Sequence, residues 1–268
     1  MEKAIQTPNE KTAITIIDLA HYNIPNSIEI KSHLEEELGE LVSISKNLSF
    51  LVASRHLTSR KVLEGLDKEF QIIEMGSGFS PHGINFEEKF EKYIEIDLPF
   101  NSELKSKIIS KIKSKNKILF ISGNIFEKET WKNVANSLDS KKPVFIFCEG
   151  VVSHYANKEQ KDKLSKYLKS ILVHEKSMFY LDDTFKNHPE LNKNEIVSAG
   201  KSDLAKKFNK TAYPGMKDRT LLTERKDWEE RGFKFLKEID YENIEGYEEI
   251  LSKLRGNIFK LINHKLNI

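Results

Sequence analysis

The chain has 268 residues, and 43 basic residues against 41 acidic ones give it a formal net charge of +2. Hydrophobic residues make up 38% and charged residues 31% of the chain, which is typical of a water-soluble globular protein. The length is enough for one large domain or for a domain with an elaboration. The basic residues are spread along the chain and are not interleaved with aromatic residues, which disfavours nucleic-acid binding.

Membrane and secretory signals are missing from the sequence. No apolar run approaches the roughly 18 residues that a membrane span needs, and the first residues lack the hydrophobic segment of a secretory signal. A single cysteine, Cys148, excludes an internal disulfide. These features predict a cytoplasmic protein that does not bind membranes, and they indicate no particular oligomeric state.

The N-terminal quarter is predicted to be helical. Apolar residues recur at helical spacing over 11–22, 27–41 and 48–66. We therefore expect residues 1–66 to form a helical N-terminal cap, followed by one α/β domain over residues 67–268.

From residue 71 onward, predicted strands alternate with predicted helices. Strands are expected at 71–75, 93–97, 117–122, 143–148, 177–181, 233–239 and 258–262, and helices at 102–114, 127–138, 158–172, 224–231 and 244–254. Such alternation indicates a parallel sheet, and apolar runs without strict alternation suit strands that are covered on both faces. The predicted fold is α/β, with a Rossmann-like, seven-stranded, mostly parallel sheet and helices on both faces.

One stretch interrupts this alternation after strand five. Residues 182–224 are polar and contain glycine and proline, and a structureless loop of that length is unusual in a compact domain. We expect an insertion with a helix near 201–208, acting as a lid or as a wall of the substrate site.

A glycine turn between the first two strands carries the strongest functional signal. The first apolar run ends in Gly76 and Gly78, and the second ends in Asp97, about 20 residues later. Glycines allow positive φ and close approach of the backbone to a ligand, and an acid at this offset reaches ribose hydroxyls in nucleotide-binding folds. The pattern predicts a nucleotide-type cofactor site at this edge of the sheet.

Several segments together resemble the class I S-adenosylmethionine-dependent methyltransferases. More narrowly, they are similar to the leucine carboxyl methyltransferase family, which includes bacterial O-methyltransferases of polyketide-type metabolism. The matching segments are Lys-Thr-Ala-Ile at 11–14, Ala-Ser-Arg-His-Leu-Thr-Ser-Arg at 53–60, Glu-Met-Gly-Ser-Gly-Phe-Ser at 74–80, Tyr-Ile-Glu-Ile-Asp-Leu-Pro at 93–99, Phe-Cys-Glu-Gly-Val-Val-Ser-His-Tyr at 147–155, and 227–233.

The resemblance implies S-adenosyl-L-methionine as the cofactor and assigns residues to its binding. Arg55 would hold the carboxylate of the cofactor, for which a bidentate guanidinium is suited. Gly76 and Gly78 would pass under the methionine and ribose, and Asp97 would accept hydrogen bonds from the ribose hydroxyls. The remaining cofactor-binding positions that the resemblance implies are Asn124 and Ile125 beside the adenine, and Glu149 lining the pocket. Asn124 departs from the aspartate that is usual in the family.

The resemblance also implies methyl transfer to an oxygen of a small molecule, with a carboxylate as the preferred acceptor. A carboxylate is already ionised and needs no general base. Cationic or donor side chains would orient it, and the candidates are Arg60, His154, Tyr155, Lys217 and Arg219. For a hydroxyl acceptor, His154 is the best-placed base, and both His154 and Tyr155 are weak catalytic candidates.

Three alternatives compete with this interpretation. A nicotinamide-dependent oxidoreductase would use a similar glycine turn and acid, but Pro81 stands at the third glycine position of G-x-G-x-x-G. A catalytically inactive S-adenosylmethionine-binding protein would keep the same fold. Asp182 and Asp183 follow strand five as magnesium ligands would, but they are better explained as the polar start of the insertion, and no metal site is predicted.

Overall fold

The computed structural model describes residues 8–41, 46–113, 117–152, 156–182, 221–240 and 255–261. The helices are α1 (Pro8–His21), α2 (Ser27–Leu38), α3 (Lys46–Gly65), α4 (His82–Phe86), α5 (Pro99–Ile112), α6 (Lys128–Ser137), α7 (Lys158–Ile171) and α8 (Leu221–Glu230). The strands are β1 (Gln71–Met75), β2 (Lys92–Asp97), β3 (Ile118–Ser122), β4 (Val144–Cys148), β5 (Met178–Asp182), β6 (Phe233–Asp240) and β7 (Arg255–Leu261).

The predicted elements that fall within the described residues are all present, with boundaries shifted by a few residues. The shifts reach three residues, as in α5, which begins at Pro99 rather than at 102 because a proline suits the first helical turn. The predicted helix at 244–254 lies outside the described residues, as does the predicted insertion from 183 to 220. Its last predicted residues, 221–224, belong to α8.

The seven strands form one sheet in the order β3-β2-β1-β4-β5-β7-β6. The first five strands pair in parallel, as predicted. Strand β7 pairs antiparallel with both β5 and β6, so parallel pairing is confined to the first five strands. The chain runs from β1 outward to β3 and then returns to β4, which places a topological switch point between β1 and β4.

The two faces of the sheet carry separate hydrophobic clusters. Ile72, Phe145 and Phe147 point to the face that α1 to α5 cover. Their sequence neighbours Ile73 and Ile146 point to the opposite face, which α6, α7 and α8 cover. This division follows from right-handed crossovers, because the chain reverses its direction across the sheet after β3.

Strands β1 and β4 are buried along their whole length, in agreement with the prediction for strands covered on both faces. Strand β3 differs because it lies at the edge of the sheet, where Leu119 is 40% exposed. Among the described residues, the structure contains no helix that combines the length and the apolar character of a membrane span.

Candidate functional site

The glycine turn follows β1 at the carboxyl edge of the sheet, next to the switch point. Gly76 and Gly78 have φ values of 64° and 49°, in the left-handed region that favours glycine. The amide of Gly76 donates to the carbonyl of Ile96 at 2.8 Å. A Cβ on Gly76 would lie 2.4 Å from Cγ2 of Val151, which follows β4, so both conformation and space require glycine here.

Asp97 ends β2 beside this turn and is buried, with 9% of its surface exposed. Its Oδ2 accepts from the amide of Gly78 at 2.7 Å, and its Oδ1 accepts from the amide of Leu98 at 2.7 Å and from Nδ2 of Asn101 at 2.8 Å. A carboxylate has about four acceptor positions. The donors found among the described residues therefore leave Asp97 one further position, on Oδ2.

Asn124 and Ile125 follow β3 and have local structural partners. The side-chain oxygen of Asn124 accepts from the amide of Phe126 at 3.0 Å, which fixes the turn into α6. Ile125 is 5% exposed and packs in the cluster under α6, and its carbonyl accepts from the indole of Trp131 at 2.7 Å. Asn124 thus has one lone pair of its side-chain oxygen engaged within the protein.

Glu149 directly follows β4 and contacts a histidine. Its Oε1 lies 2.8 Å from Nε2 of His82, the first residue of α4. An ionised carboxylate can only accept, so this bond requires the proton of the neutral His82 ring to be on Nε2. The side chain of His82 is fully buried, and that of Glu149 is 14% exposed.

A second histidine completes this group. The ring of His56, on α3, stacks on His82 with a centroid distance of 3.6 Å and an interplanar angle of 16°. Burial lowers the pKa of His56 well below its ordinary value, and the neighbouring His82 lowers it further. Burial and then the charges of Lys105 and Arg60 lower the pKa of His82 in the same direction. Both rings are therefore neutral at neutral pH.

Buried polar and charged side chains pack beside the glycine turn. Glu95 on β2 forms a buried ion pair with Lys105 of α5, and its side chain also accepts a hydrogen bond from Ser77 in the glycine turn. Glu74 lies opposite Glu95 on β1 and accepts from the hydroxyl of Tyr93 at 2.8 Å. Burial raises the pKa of Glu74 well above its ordinary value, although Lys105 opposes this shift.

The other predicted site residues divide into two groups. Arg55 is buried on α3, one position before His56, and its assignment to the cofactor carboxylate stays a prediction. Arg60 pairs through Nε with Glu64 at 2.9 Å, one turn further along α3. His154, Tyr155, Asp183, Lys217 and Arg219 lie outside the described residues, and the side chain of Asp182 is likewise not described.

Sequence reasoning missed the group formed by His56, His82 and Glu149. Only Glu149 was singled out, because the three residues come from separate elements without a common spacing. The signal that was available is the histidine inside the segment 53–60, together with the histidine that follows the glycine turn.

Comparison with known proteins gives no match to a family model and none to a curated protein sequence. Solved structures do match. The magnesium protoporphyrin IX methyltransferase ChlM from Synechocystis PCC 6803 with bound SAM has a TM-score of 0.51 at 11% identity, and the alignment covers 93% of this chain and 97% of ChlM.

Two further structures are similar over most of this chain. The mitomycin 7-O-methyltransferase MmcR has a TM-score of 0.52 at 10% identity, with 92% of this chain and 67% of MmcR covered. The pyocyanin biosynthetic protein PhzM has a TM-score of 0.53 at 10% identity, with 91% of this chain and 66% of PhzM covered. At such low identity the likeness concerns the fold, and the chain has the α/β Rossmann-like fold of methyltransferases.

Proposed function

We propose that the protein is an S-adenosylmethionine-dependent O-methyltransferase that acts on a small molecule, with a carboxylate as the preferred acceptor. The observation that carries the proposal is the juxtaposition of the glycine turn with Asp97, whose Oδ2 bonds to the amide of Gly78 at 2.7 Å. The remaining acceptor position of Oδ2 suits one ribose hydroxyl. Val151, which follows β4, packs closely against Gly76, which follows β1. The ends of the two strands that flank the switch point therefore lie side by side, where the cofactor would bind.

The sheet favours a methyltransferase over a nicotinamide-dependent oxidoreductase. The usual dinucleotide-binding sheet has the parallel order 3-2-1-4-5-6, whereas here the antiparallel β7 lies between β5 and β6. The helix after the glycine turn is also short, since α4 spans only His82–Phe86. A five-residue helix offers little of the dipole that a long helix directs at a pyrophosphate.

Methyl transfer from a sulfonium requires mainly that the protein positions the acceptor oxygen in line with the methyl group. An acceptor oxygen attacks the sulfonium methyl group in line, the methyl–sulfur bond breaks, and S-adenosylhomocysteine leaves. Proximity and orientation supply most of the acceleration of such a step. A carboxylate acceptor needs no base, and for a hydroxyl acceptor His154 remains the proposed base, with Tyr155 as a weaker candidate.

The proposal also assigns residues to the cofactor contacts and gives roles to the helical cap and to the insertion. Arg55 would hold the carboxylate of the cofactor, Asn124 and Ile125 would lie at the adenine, and Glu149 would line the pocket, as in the leucine carboxyl methyltransferase family. The helical cap at 1–66 and the insertion at 182–224 would shape the acceptor site. We place the protein in the cytoplasm and propose neither a membrane nor a nucleic-acid partner.

The test is calorimetric titration of the full chain with S-adenosylhomocysteine, with NAD⁺ titrated alongside. Asp97→Asn keeps the size of the side chain but replaces one acceptor oxygen with an NH2 donor. That donor would face either the amide of Gly78 or the donors of Leu98 and Asn101. We expect this substitution to weaken binding about 10- to 100-fold, since hydrogen bonds to charged groups contribute about 1.5–3 kcal/mol.

Asp67→Asn is the matched control, because Asp67 is exposed in the turn before β1. We expect the control to bind S-adenosylhomocysteine like the wild type. Binding of NAD⁺ in place of S-adenosylhomocysteine would overturn the proposal, and so would equal affinity in Asp97→Asn and the control. Cofactor binding without methyl transfer to any of a panel of carboxylic acids and phenols would indicate an inactive binding protein instead.

A further inference from the structure

Three side chains from three different elements meet at the carboxyl edge of the sheet. His56, His82 and Glu149 each offer a ligand atom, and these atoms lie within 4.8 Å of one another. We propose that His56, His82 and Glu149 form a binding site for a divalent transition-metal ion such as Zn²⁺. The proposal does not depend on the proposed methyltransferase function, because the site is defined by its own residues.

The first argument is the hydrogen bonding of the two rings. Both ring nitrogens of His56, and Nδ1 of His82, have no hydrogen-bond partner among the residues that the structure describes. Both side chains are fully buried, and a buried polar atom without a partner costs about 1–3 kcal/mol. An ion bonded to one nitrogen of His56 would offset part of that cost.

The second argument is the chemistry of the donors. Histidine binds a metal through a neutral ring, and both imidazoles are fully buried, away from bulk water. Two imidazole nitrogens with one carboxylate oxygen form a ligand set known from catalytic zinc sites, where a fourth position stays open. Magnesium and calcium prefer oxygen ligands, so a transition metal fits this group better.

Binding of a metal ion would require two changes in the present arrangement of these side chains. The rings are inclined by only 16° with centroids 3.6 Å apart, so their lone pairs lie in two nearly parallel planes and cannot converge on one ion. One imidazole must turn about its Cβ–Cγ bond. The ion would also replace the hydrogen bond of 2.8 Å between His82 and Glu149, because tetrahedral zinc with bonds of about 2.0–2.2 Å separates its ligand atoms by about 3.3 Å.

The test is direct metal binding to the full-length, untagged protein after treatment with a chelator. Zn²⁺ is titrated in competition with a chromophoric chelator, and Co²⁺ is added separately for its visible absorption spectrum. We expect one ion per chain and the Co²⁺ spectrum of a four-coordinate site. We expect His56→Gln and Glu149→Gln each to weaken Zn²⁺ binding at least about tenfold, in the range known for removing groups around a metal.

The matched control is a second histidine–glutamate pair, His33 and Glu36, whose side chains lie 3.0 Å apart on the exposed face of α2. The double variant His33→Gln, Glu36→Gln should bind Zn²⁺ like the wild type. Circular dichroism checks that each variant folds. If His56→Gln does not fold, the test rests on Glu149→Gln. Glu149 is partly exposed, so its substitution is expected to leave the fold intact. Absence of a stoichiometric site, or equal affinity in Glu149→Gln and the control, would overturn the proposal.

Discussion

The two faces of the sheet bury different kinds of side chains. The face under α3 to α5 holds charged and titratable groups with almost no exposure, among them Glu74, Glu95 and Lys105. The face under α6 to α8 is filled by residues such as Trp131, Phe179 and Trp228, and its buried Lys161 pairs with Asp227, whose side chain is 32% exposed.

This difference concerns the surroundings of the glycine turn. Burying charges costs free energy even when they are paired, and the face under α6 to α8 buries mainly apolar side chains. On the face under α3 to α5, the buried groups contact the glycine turn and its surroundings, since Glu95 accepts from Ser77 and a Cβ on Gly83 would lie 2.1 Å from Glu95. We infer that these groups hold the shape of the turn.

The largest difference in stability between the faces is expected when one buried lysine is removed from each. Lys105→Met leaves the Glu95 carboxylate buried without its cation, and we expect a loss of about 3–5 kcal/mol in the free energy of unfolding. Lys161→Met leaves Asp227 with Arg231 and with access to solvent, so we expect a loss below about 1 kcal/mol. Urea unfolding at pH 7 measures both, and equal losses would remove the difference between the faces.

A smaller effect is expected from adding a methyl group on each face. In Gly83→Ala the new Cβ meets Oε1 of Glu95 at 2.1 Å, and in Gly123→Ala it meets Oγ1 of Thr130 at 2.3 Å. Overpacking costs about 1–3 kcal/mol, and we expect Gly83→Ala to cost more because Lys105 holds the carboxylate in place. Thermal unfolding compares the two variants, and a larger loss in Gly123→Ala would contradict this explanation.

The buried histidines predict a pH dependence of stability. The pKa of His56 is lowered in the folded protein, so the unfolded chain takes up a proton first as the pH falls through about 6.5. Stability should therefore fall below that pH, by at most about 1.4 kcal/mol per pH unit for each such histidine. Unfolding between pH 7.5 and 5 should show a shallower slope in His56→Gln, and an unchanged slope would show that His56 takes no part.

The raised pKa of Glu74 predicts a pH dependence of opposite sign, with the smallest effect expected at pH 5. Its pKa is raised in the folded protein, so as the pH rises above about 4.5 the unfolded chain loses the proton first, and stability falls toward the pKa of the folded state. Glu74→Gln cannot ionise and should differ from the wild type by less than about 1 kcal/mol at pH 5. Its relative stability should then grow from pH 5 to 8, whereas a decline over that range would show that Glu74 is ionised.

Much of the fold could be predicted because strong local signals coincide with it. Apolar runs located every strand from β1 to β5, and the predicted glycine turn is present beside Asp97. Pairing direction at the far end of the sheet could not be predicted, since periodicity indicates burial and carries no information on whether β7 runs parallel or antiparallel to β5.

The buried groups around the glycine turn were harder to predict because their contacts join distant parts of the sequence. Glu74 and Lys105 belong to residue types that are almost never buried unless paired, and their partners come from other elements of the fold. The stack of His56 on His82 joins two helices that are separated by β1. Only the packing of α3 and α4 on the same face brings these rings together, and nothing local in the sequence encodes that contact.

The pairing of β1 with β4 has a consequence for how the chain is made. Gln71 pairs with Val144, so during synthesis the first three strands emerge well before β4 does. Until then β1 is an edge strand whose five residues are all buried in the finished protein, and unpaired apolar edges promote aggregation. The same pairing brings Val151 against Gly76, so the surroundings of the glycine turn take their final shape only once β4 has paired with β1.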